Sequence, residues 1–172
     1  MNILSIDAST KSTGWSVFSE DALLDYGCIT SSSTDLIKRI HKMVDELQLI
    51  IQKYKIKKII LEEVRPETGN AGSQNIKTHR ALMWLQGALA IMAHDNCGDP
   101  EFVYLYPSEW RKVCGIKTGS GIKRETLKQK DIEFVKNKFN IIVNDDIADA
   151  IGIGYAFLNP AKKESFDGFE FI

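Results

Sequence analysis

The sequence has 172 residues, enough for one compact domain, and its 44% hydrophobic and 26% charged residues are ordinary for a soluble globular protein. Its cysteines, Cys28, Cys97 and Cys114, are too widely spaced for a disulfide framework or a zinc motif. There is no long apolar run and no signal-peptide pattern, so we expect a cytoplasmic protein that does not cross a membrane. The net charge of −1 does not exclude a nucleic-acid partner, because the distribution of charge matters more than its sum.

Apolar patterning predicts strands and a helix in the first part of the chain. In order, we predict three strands, one helix and a fourth strand, over residues 1–7, 13–20, 22–31, 31–54 and 56–64. The first three strands follow one another closely enough to form an antiparallel meander. The helix has Ser and Thr at its start as candidate N-caps, and its apolar residues recur at helical spacing.

The remainder of the chain is predicted to hold a single further strand among helices. We predict a helix, a strand and three more helices, over residues 74–95, 101–107, 108–115, 125–139 and 144–157. Ser108 is the expected N-cap of the short helix. The chain shows no repeat and no linker, so we expect a single α/β domain over residues 1–172 with a mixed sheet.

The last predicted helix carries a high density of negative charge. In NDDIADAIGIGYAF, residues 144–157, Ile147 and Ile151 belong to one apolar stripe. Asp145 and Asp146 suit a helix N-terminus, where carboxylates cap the backbone and interact favourably with the dipole. Asp149 lies beyond the cap and one turn from both, where like charges destabilise a helix. The cluster therefore indicates a bound cation.

Two more carboxylates stand at the ends of predicted strands. Asp7 ends the first strand, and Glu62 ends the core of the fourth. If these strands are parallel neighbours, both side chains lie at one edge of the sheet, where ligands of α/β proteins gather. With Asp146 and Asp149 they form an all-oxygen ligand set suited to Mg²⁺ or Mn²⁺, and two such ions can support phosphodiester hydrolysis. Taken singly, each carboxylate is better explained as a turn residue or as a partner for a nearby lysine.

The segment before the last helix is basic although the whole chain is not. Between residues 111 and 138, nine Lys and Arg residues stand against three Asp and Glu residues. A solvated helix face is the ordinary explanation of such a run, so the segment alone is weak evidence for a nucleic-acid partner.

Taken together, these segments resemble a known family. ILSIDASTKSTGWSVF, IILEEV and DDIADAIGIGYA are similar to the three acidic motifs of the RuvC-type Holliday-junction resolvases. The resemblance implies an RNase H-like fold, with a mixed five-stranded sheet flanked by helices on both faces. The family pattern places its catalytic, metal-binding acids on Asp7, Glu62, Asp146 and Asp149. Spacing alone excludes neither Asp145 nor Glu63, the carboxylates adjacent to Asp146 and Glu62.

The basic segment resembles the part of the family that contacts the junction near the scissile phosphate. Lys128 best matches a family lysine at the start of the following helix, and Arg111 stands where another lysine is usual. The inserted KTGSG shifts this register, which leaves Lys123 and Arg124 as candidates. The resemblance thus implies a catalytic role for Lys128, and DNA contacts from Arg111, Lys112, Lys117, Lys123, Arg124 and Lys128. Cations placed there would hold phosphates and offset charge in the transition state.

The resemblance also implies an activity and its requirements. We expect a metal-dependent endonuclease that resolves Holliday junctions and other branched DNA by nicking opposing strands, with two Mg²⁺ ions per active site that Mn²⁺ can replace. It implies a homodimer whose interface includes the helix around Trp84 to Ala90, although these apolar positions also fit a core. The likeness is closest to phage-encoded members, which would place the protein in the host cytoplasm. Whether a helicase partner exists is left open.

Two alternatives come from other functional classes. One is a protein that binds and shapes junctions without cutting them, although clustered carboxylates would then only weaken phosphate binding. The other is an actin- or sugar-kinase-like phosphotransferase, because DASTKSTGW resembles the phosphate loop of that group. Those kinases need a second domain to enclose the nucleotide, for which 172 residues leave little room.

Overall fold

The computed structural model describes residues 1–63, 72–119 and 121–159, which form five strands and five helices. In chain order the elements are β1 (Asn2–Asp7), β2 (Ser12–Ser19), β3 (Ala22–Thr30), α1 (Leu36–Tyr54), β4 (Lys58–Glu62), α2 (Gly72–Asn96), β5 (Glu101–Leu105), α3 (Pro107–Val113), α4 (Arg124–Phe139) and α5 (Asp145–Leu158). Each predicted strand and helix is present; the ends differ from the prediction by at most two residues, except that α1 begins five residues later than predicted. Within these ranges, none of the helices is both long and apolar enough to cross a membrane.

The strands form one mixed sheet in the order β3-β2-β1-β4-β5. The pairs β1–β2 and β2–β3 are antiparallel, so the predicted meander is confirmed. The pairs β1–β4 and β4–β5 are parallel. Parallel neighbours need a crossover connection, which α2 supplies between β4 and β5. The prediction of a mixed five-stranded sheet is therefore confirmed, and β1 lies at its centre beside β4.

Helices cover both faces of the sheet, as predicted. Leu4 and Ile6 of β1 face a core that α1 and α2 complete, while Ile3 faces a second core built largely from α3, α4 and α5. This division follows from the two-residue period of a strand, which turns successive side chains to opposite faces. Residues of odd number in β1 therefore point towards α5, and that parity decides where Asp7 lies.

α5 lies unusually close to the sheet because small residues line its path. A Cβ on Gly14 of β2 would overlap the backbone carbonyl of Asp146, and a Cβ on Gly154 would lie 2.6 Å from the Phe18 ring. The buried Ser16 hydroxyl donates to the carbonyl of Ala150 at 3.1 Å. These contacts fix the height of α5 above the sheet, and with it the position of the acidic first turns.

Two predicted helix starts are corrected. The N-cap of α1 is Asp35, whose carboxylate accepts from the backbone N–H groups of Ile37 and Lys38 at 2.8 and 3.2 Å, rather than a Ser or Thr. Ser108 is not the N-cap of α3, because the helix already begins at Pro107. Proline suits the first helical position, since its fixed φ matches the helix and its missing N–H would have no helical partner there.

Candidate active site

Asp7 and Glu62 stand side by side at the carboxyl ends of β1 and β4. Ile6 pairs with Leu61 in the parallel register, so the residues that follow them are neighbours. Ile3 and Ile60 belong to the core on the α5 face, and the two-residue period places Asp7 and Glu62 on that same face. The sheet therefore brings together two carboxylates that are 55 residues apart in sequence.

The first turns of α5 complete an acidic cavity of about 480 Å³. Asp146 and Asp149 are three residues apart and share a side of the helix, and the carboxylate cluster that lines this cavity is Asp7, Glu62, Glu63, Asp145, Asp146 and Asp149. All four predicted catalytic carboxylates thus lie in one cavity. Asp145 and Glu63, their sequence neighbours, line it as well.

Two of these carboxylates have hydrogen-bond donors that the sequence did not indicate. The indole Nε1–H of Trp110 donates to Glu62 Oε2 at 2.9 Å. The Ser12 hydroxyl donates to Asp146 Oδ2. Each donor comes from another element, α3 and β2 respectively. The side chains are therefore oriented by the fold around them as well as by their own helix or strand.

Asp149 is contacted by Arg111, which is itself held by a buried aspartate. Arg111 Nη2 lies 3.3 Å from Asp149 Oδ2 and 2.9 Å from Asp131 Oδ2, and Arg111 Nε donates to both oxygens of Asp131. The Asp131 side chain is 0% exposed. In α4, Asp131 lies four residues after Leu127 and four residues before Val135, on the same side of the helix. A carboxylate among apolar residues on one side of a helix is the feature of the sequence that could have predicted a buried partner for Arg111.

The enclosed site raises the pKa values of its carboxyl groups. Burial, followed by the charges of Glu62 and Asp146, raises the pKa of Asp7 to about 8. Burial, followed by the charge of Asp7, raises the pKa of Asp149 to about 9, and Arg111 offsets this only partly because it is shared with Asp131. Burial also raises the pKa of Glu62, against the opposing hydrogen bond from Trp110. The cavity thus lacks positive charge relative to its carboxylates.

The donor set suits a hard divalent cation. Only carboxylate oxygens are offered by Asp7, Glu62, Asp146 and Asp149, and such ligands are preferred by Mg²⁺ and Mn²⁺. Asp149 Oδ1 is buried and accepts no hydrogen bond from any described residue, so it is available to a cation. As the side chains stand, however, no group of three or more His, Cys, Asp or Glu residues in the described ranges is arranged to hold an ion. The residue types therefore fit a divalent cation, but the carboxylate side chains must rotate before they can coordinate one.

The predicted DNA-contacting residues divide into two groups. Arg111, Arg124 and Lys128 line the acidic cavity. Lys128 bonds to Asp145, which lowers the pKa of that carboxyl group and raises the pKa of the lysine. Lys112, Lys117 and Lys123 are exposed and lie outside the cavity lining; Lys117 borders a separate groove between α3 and α4.

The fold and the site together define a class of protein. The mixed five-stranded sheet with helices on both faces is an RNase H-like fold, and in this chain it carries an acidic cavity at the carboxyl ends of its central parallel strands. The chain belongs to the RuvC family, since the family model described as "Crossover junction endodeoxyribonuclease RuvC" matches residues 3–156.

Relatives and a solved structure agree with this assignment. The chain is 28% identical to the crossover junction endodeoxyribonuclease RuvC of Ehrlichia ruminantium (strain Welgevonden), over 94% of this chain and 99% of that protein. It is 30% identical to the RuvC of Endomicrobium trichonymphae, over 92% of this chain and 81% of that protein. The structure of T. thermophilus RuvC in complex with a Holliday junction substrate has the same fold, with a TM-score of 0.72 and 14% identity over 95% of this chain and 96% of that one.

Proposed function

We propose that the protein is a metal-dependent endonuclease that resolves Holliday junctions and other branched DNA by nicking opposing strands. The observation that carries this proposal is the meeting of Asp7 and Glu62, at adjacent parallel strand ends, with Asp146 and Asp149 of α5 in one cavity. Membership of the RuvC family favours this activity over both a phosphotransferase and a junction-binding protein that does not cut.

Asp7, Glu62, Asp146 and Asp149 are proposed to hold two Mg²⁺ ions, for which Mn²⁺ can substitute. When bound, two such ions supply an activated water and stabilise the oxygen that leaves the phosphodiester. Asp149 Oδ1, which accepts no hydrogen bond from the described residues, supports this role. So do the raised pKa values of Asp7 and Asp149, because burial, followed by the charges of neighbouring carboxylates, disfavours their charged forms unless a cation is bound. Asp146 is preferred to Asp145 as a ligand, since Asp145 already bonds to Lys128.

The basic residues at the cavity have separate tasks in this proposal. Lys128 is 37% exposed in its side chain and borders the carboxylates, so it can reach a phosphate at the cleavage position. Arg124, at the start of α4, is proposed to contact the DNA backbone next to that phosphate. Arg111 is only 11% exposed and bonds to two aspartates, so we assign it to balancing charge within the site rather than to gripping DNA. The three exposed lysines outside the cavity are proposed to contact phosphates farther along the arms of the DNA junction: Lys112, Lys117 and Lys123.

The active form is proposed to be a homodimer formed through α2. Ile76, Met83, Trp84 and Ile91 are exposed apolar residues of this helix, with exposed fractions from 47% to 71%. They share one side of α2, while Leu85 and Leu89 on the opposite side are buried in the core. A two-fold dimer would present one active site to each of two opposing strands.

The proposal also covers the domain organisation, the location and the partners of the protein. The whole chain acts as a single nuclease domain in the cytoplasm, or in the host cytoplasm if the protein is encoded by a phage, as its likeness to phage members suggests. Branched DNA is its partner, and a requirement for a helicase is to be decided by whether the purified protein resolves junctions alone.

A junction-cleavage assay tests the proposal. Purified protein is incubated with a labelled four-way junction or a matched linear duplex, with Mg²⁺ or with EDTA. We expect paired nicks near the crossover that require the metal and spare the duplex. Asp146→Asn should abolish them, whereas the control Asp45→Asn, an exposed carboxylate on α1, should leave them unchanged. Tight binding of the junction without nicks would favour the junction-binding alternative, and full activity of Asp146→Asn would contradict the assignment of the site.

A further inference from the structure

Trp110 connects two carboxylates that line the acidic cavity, Glu62 directly and Asp149 through Arg111. Its indole Nε1–H donates to Glu62 Oε2 at 2.9 Å. The guanidinium carbon of Arg111 lies 4.2 Å from the centre of the Trp110 ring, and Arg111 Nη2 lies 3.3 Å from Asp149 Oδ2. One side chain therefore contacts Glu62 directly and Asp149 through Arg111, so it links ligands contributed by a strand and by a helix.

The Trp110 ring is held firmly enough to serve as a fixed donor. The side chain is 0% exposed and packs in the core formed with Leu105, Val113 and Ile151. Gly152 of α5 lies under the ring, and a Cβ at this position would come within 2.7 Å of Cζ3. A ring enclosed in this way has little freedom to turn, so the direction of its N–H is set by the packing of α3 against α5.

We infer that Trp110 is a positioning residue for metal binding, because its N–H orients Glu62 and its ring face orients Arg111 beside Asp149. This inference rests on the proposed function. Donors that bond to metal ligands fix the ligand orientation before the ion arrives, and removing such a donor commonly weakens metal affinity by about 10- to 100-fold. Trp110 does not border the cavity itself, so its effect is exerted through the two residues it contacts.

Direct Mn²⁺ binding to the metal-free protein, measured by electron paramagnetic resonance without DNA, tests this role. Trp110→Phe removes the N–H and keeps an aromatic face beside Arg111. We expect its Mn²⁺ affinity to fall by about 10- to 100-fold, and the Mg²⁺ concentration for half-maximal nicking to rise by a similar factor. The rate at saturating Mg²⁺ should fall less, and junction binding in EDTA should be unchanged. Trp15→Phe is the matched control, because Trp15 packs against the core on the other face of the sheet.

A second measurement does not depend on the stability of that variant. The chain has three tryptophans, so a ¹⁵N-labelled sample gives three indole N–H signals, and Trp15→Phe and Trp84→Phe assign the Trp110 signal by elimination. In the wild-type protein we expect the Trp110 indole signal to shift when Mg²⁺ is added. In the Glu62→Gln variant without Mg²⁺, we expect the same signal to differ from its position in the wild-type protein. The Trp15 signal should not move in either case.

The results separate the inference from the function on which it rests. Wild-type Mn²⁺ affinity in Trp110→Phe, or a Trp110 signal unmoved by Mg²⁺, would overturn the inference while junction cleavage by the wild-type protein still stood. A wild-type protein that neither binds Mn²⁺ nor nicks junctions would overturn the proposed function, and the inference with it.

Discussion

Asp149 shows how burial makes the charged form of a carboxyl group unfavourable when no cation is bound. Its pKa rises from 3.8 to about 9, so at intermediate pH the folded protein holds a proton that the unfolded chain has lost. The free energy of unfolding without metal therefore falls as pH rises through this range. The slope for one such proton is at most about 1.4 kcal/mol per pH unit.

Replacing Asp149 by Asn should remove the part of this pH dependence that Asp149 contributes, while Asp7, whose pKa is also raised, keeps its own part. In EDTA, we expect Asp149→Asn to gain melting temperature relative to the wild type between about pH 5 and about pH 8, because the variant has no carboxyl group to titrate. Nicking should be lost. Thermal unfolding at the two pH values checks the result, with Asp45→Asn as the control for an exposed carboxylate. An equal difference in melting temperature at both pH values would contradict the assigned pKa shift.

Lys128 should affect the reaction far more than stability. Its ion pair with Asp145 joins side chains that are 37% and 32% exposed, and pairs of this kind contribute about 1 kcal/mol or less. We expect Lys128→Gln to lower the nicking rate by roughly 100-fold, as the loss of one charge-stabilising donor does. The melting temperature should change by about 4 °C or less. Lys136→Gln, an exposed lysine on the same helix, is the control, and a similar loss of rate in both variants would indicate only a general effect of charge.

At the scale of elements, the contact between β2 and α5 sets the geometry of the acidic cavity. Gly14 of β2 lies against the backbone of Asp146, where a Cβ would overlap the carbonyl oxygen. Backbone atoms cannot turn aside as a flexible side chain can. Any side chain at position 14 must therefore push the first turn of α5 away from the sheet.

Gly14→Ala should consequently damage both stability and activity. Overpacking of this kind costs about 1–3 kcal/mol, which corresponds to a fall in melting temperature of roughly 2–12 °C for a protein of this size. Nicking should fall even where the protein remains folded, since Asp146 moves with the helix. Gly119→Ala is the matched control, because nothing lies within 4 Å of a Cβ there. Thermal unfolding and the junction assay measure the two effects, and wild-type behaviour of Gly14→Ala would contradict the close approach.

The sequence predicted this scaffold well because each element has a local pattern. Apolar periodicity located the strands and helices, and the strand-end positions of Asp7 and Glu62 indicated a shared edge once β1 and β4 were parallel neighbours. Trp110 and Asp131 were not foreseen as parts of the site, because their partners are 48 and 20 residues away and depend on how α3 packs against α4 and α5. Ser108 was expected as a cap from residue type alone, whereas Pro107 already satisfies the requirements of the first helical position.

At the scale of the whole molecule, α2 has two apolar sides, one buried in the core and one exposed on the surface. Leu85 and Leu89 pack in the core, while the exposed pairs Ile76 and Met83, and Trp84 and Ile91, each repeat at seven-residue spacing. The seven-residue spacing aligns the two residues of each pair, and both pairs lie on one side of the helix, which suits a self-complementary interface about a two-fold axis. The exposed stripe therefore supports the proposed homodimer.

Disrupting the stripe should separate the subunits without unfolding them. Met83 and Ile91 are 47% and 67% exposed, so Met83→Glu combined with Ile91→Glu places charge in the interface but not in the core. We expect light scattering to show the wild type at twice the 19.4 kDa chain mass and the double variant at the chain mass, with little change in melting temperature. Nicks in the two opposing strands should then become uncoupled, because each monomer carries one site. Ile142→Glu, 85% exposed and outside α2, should remain dimeric, and a wild type already at the chain mass would contradict the proposed interface.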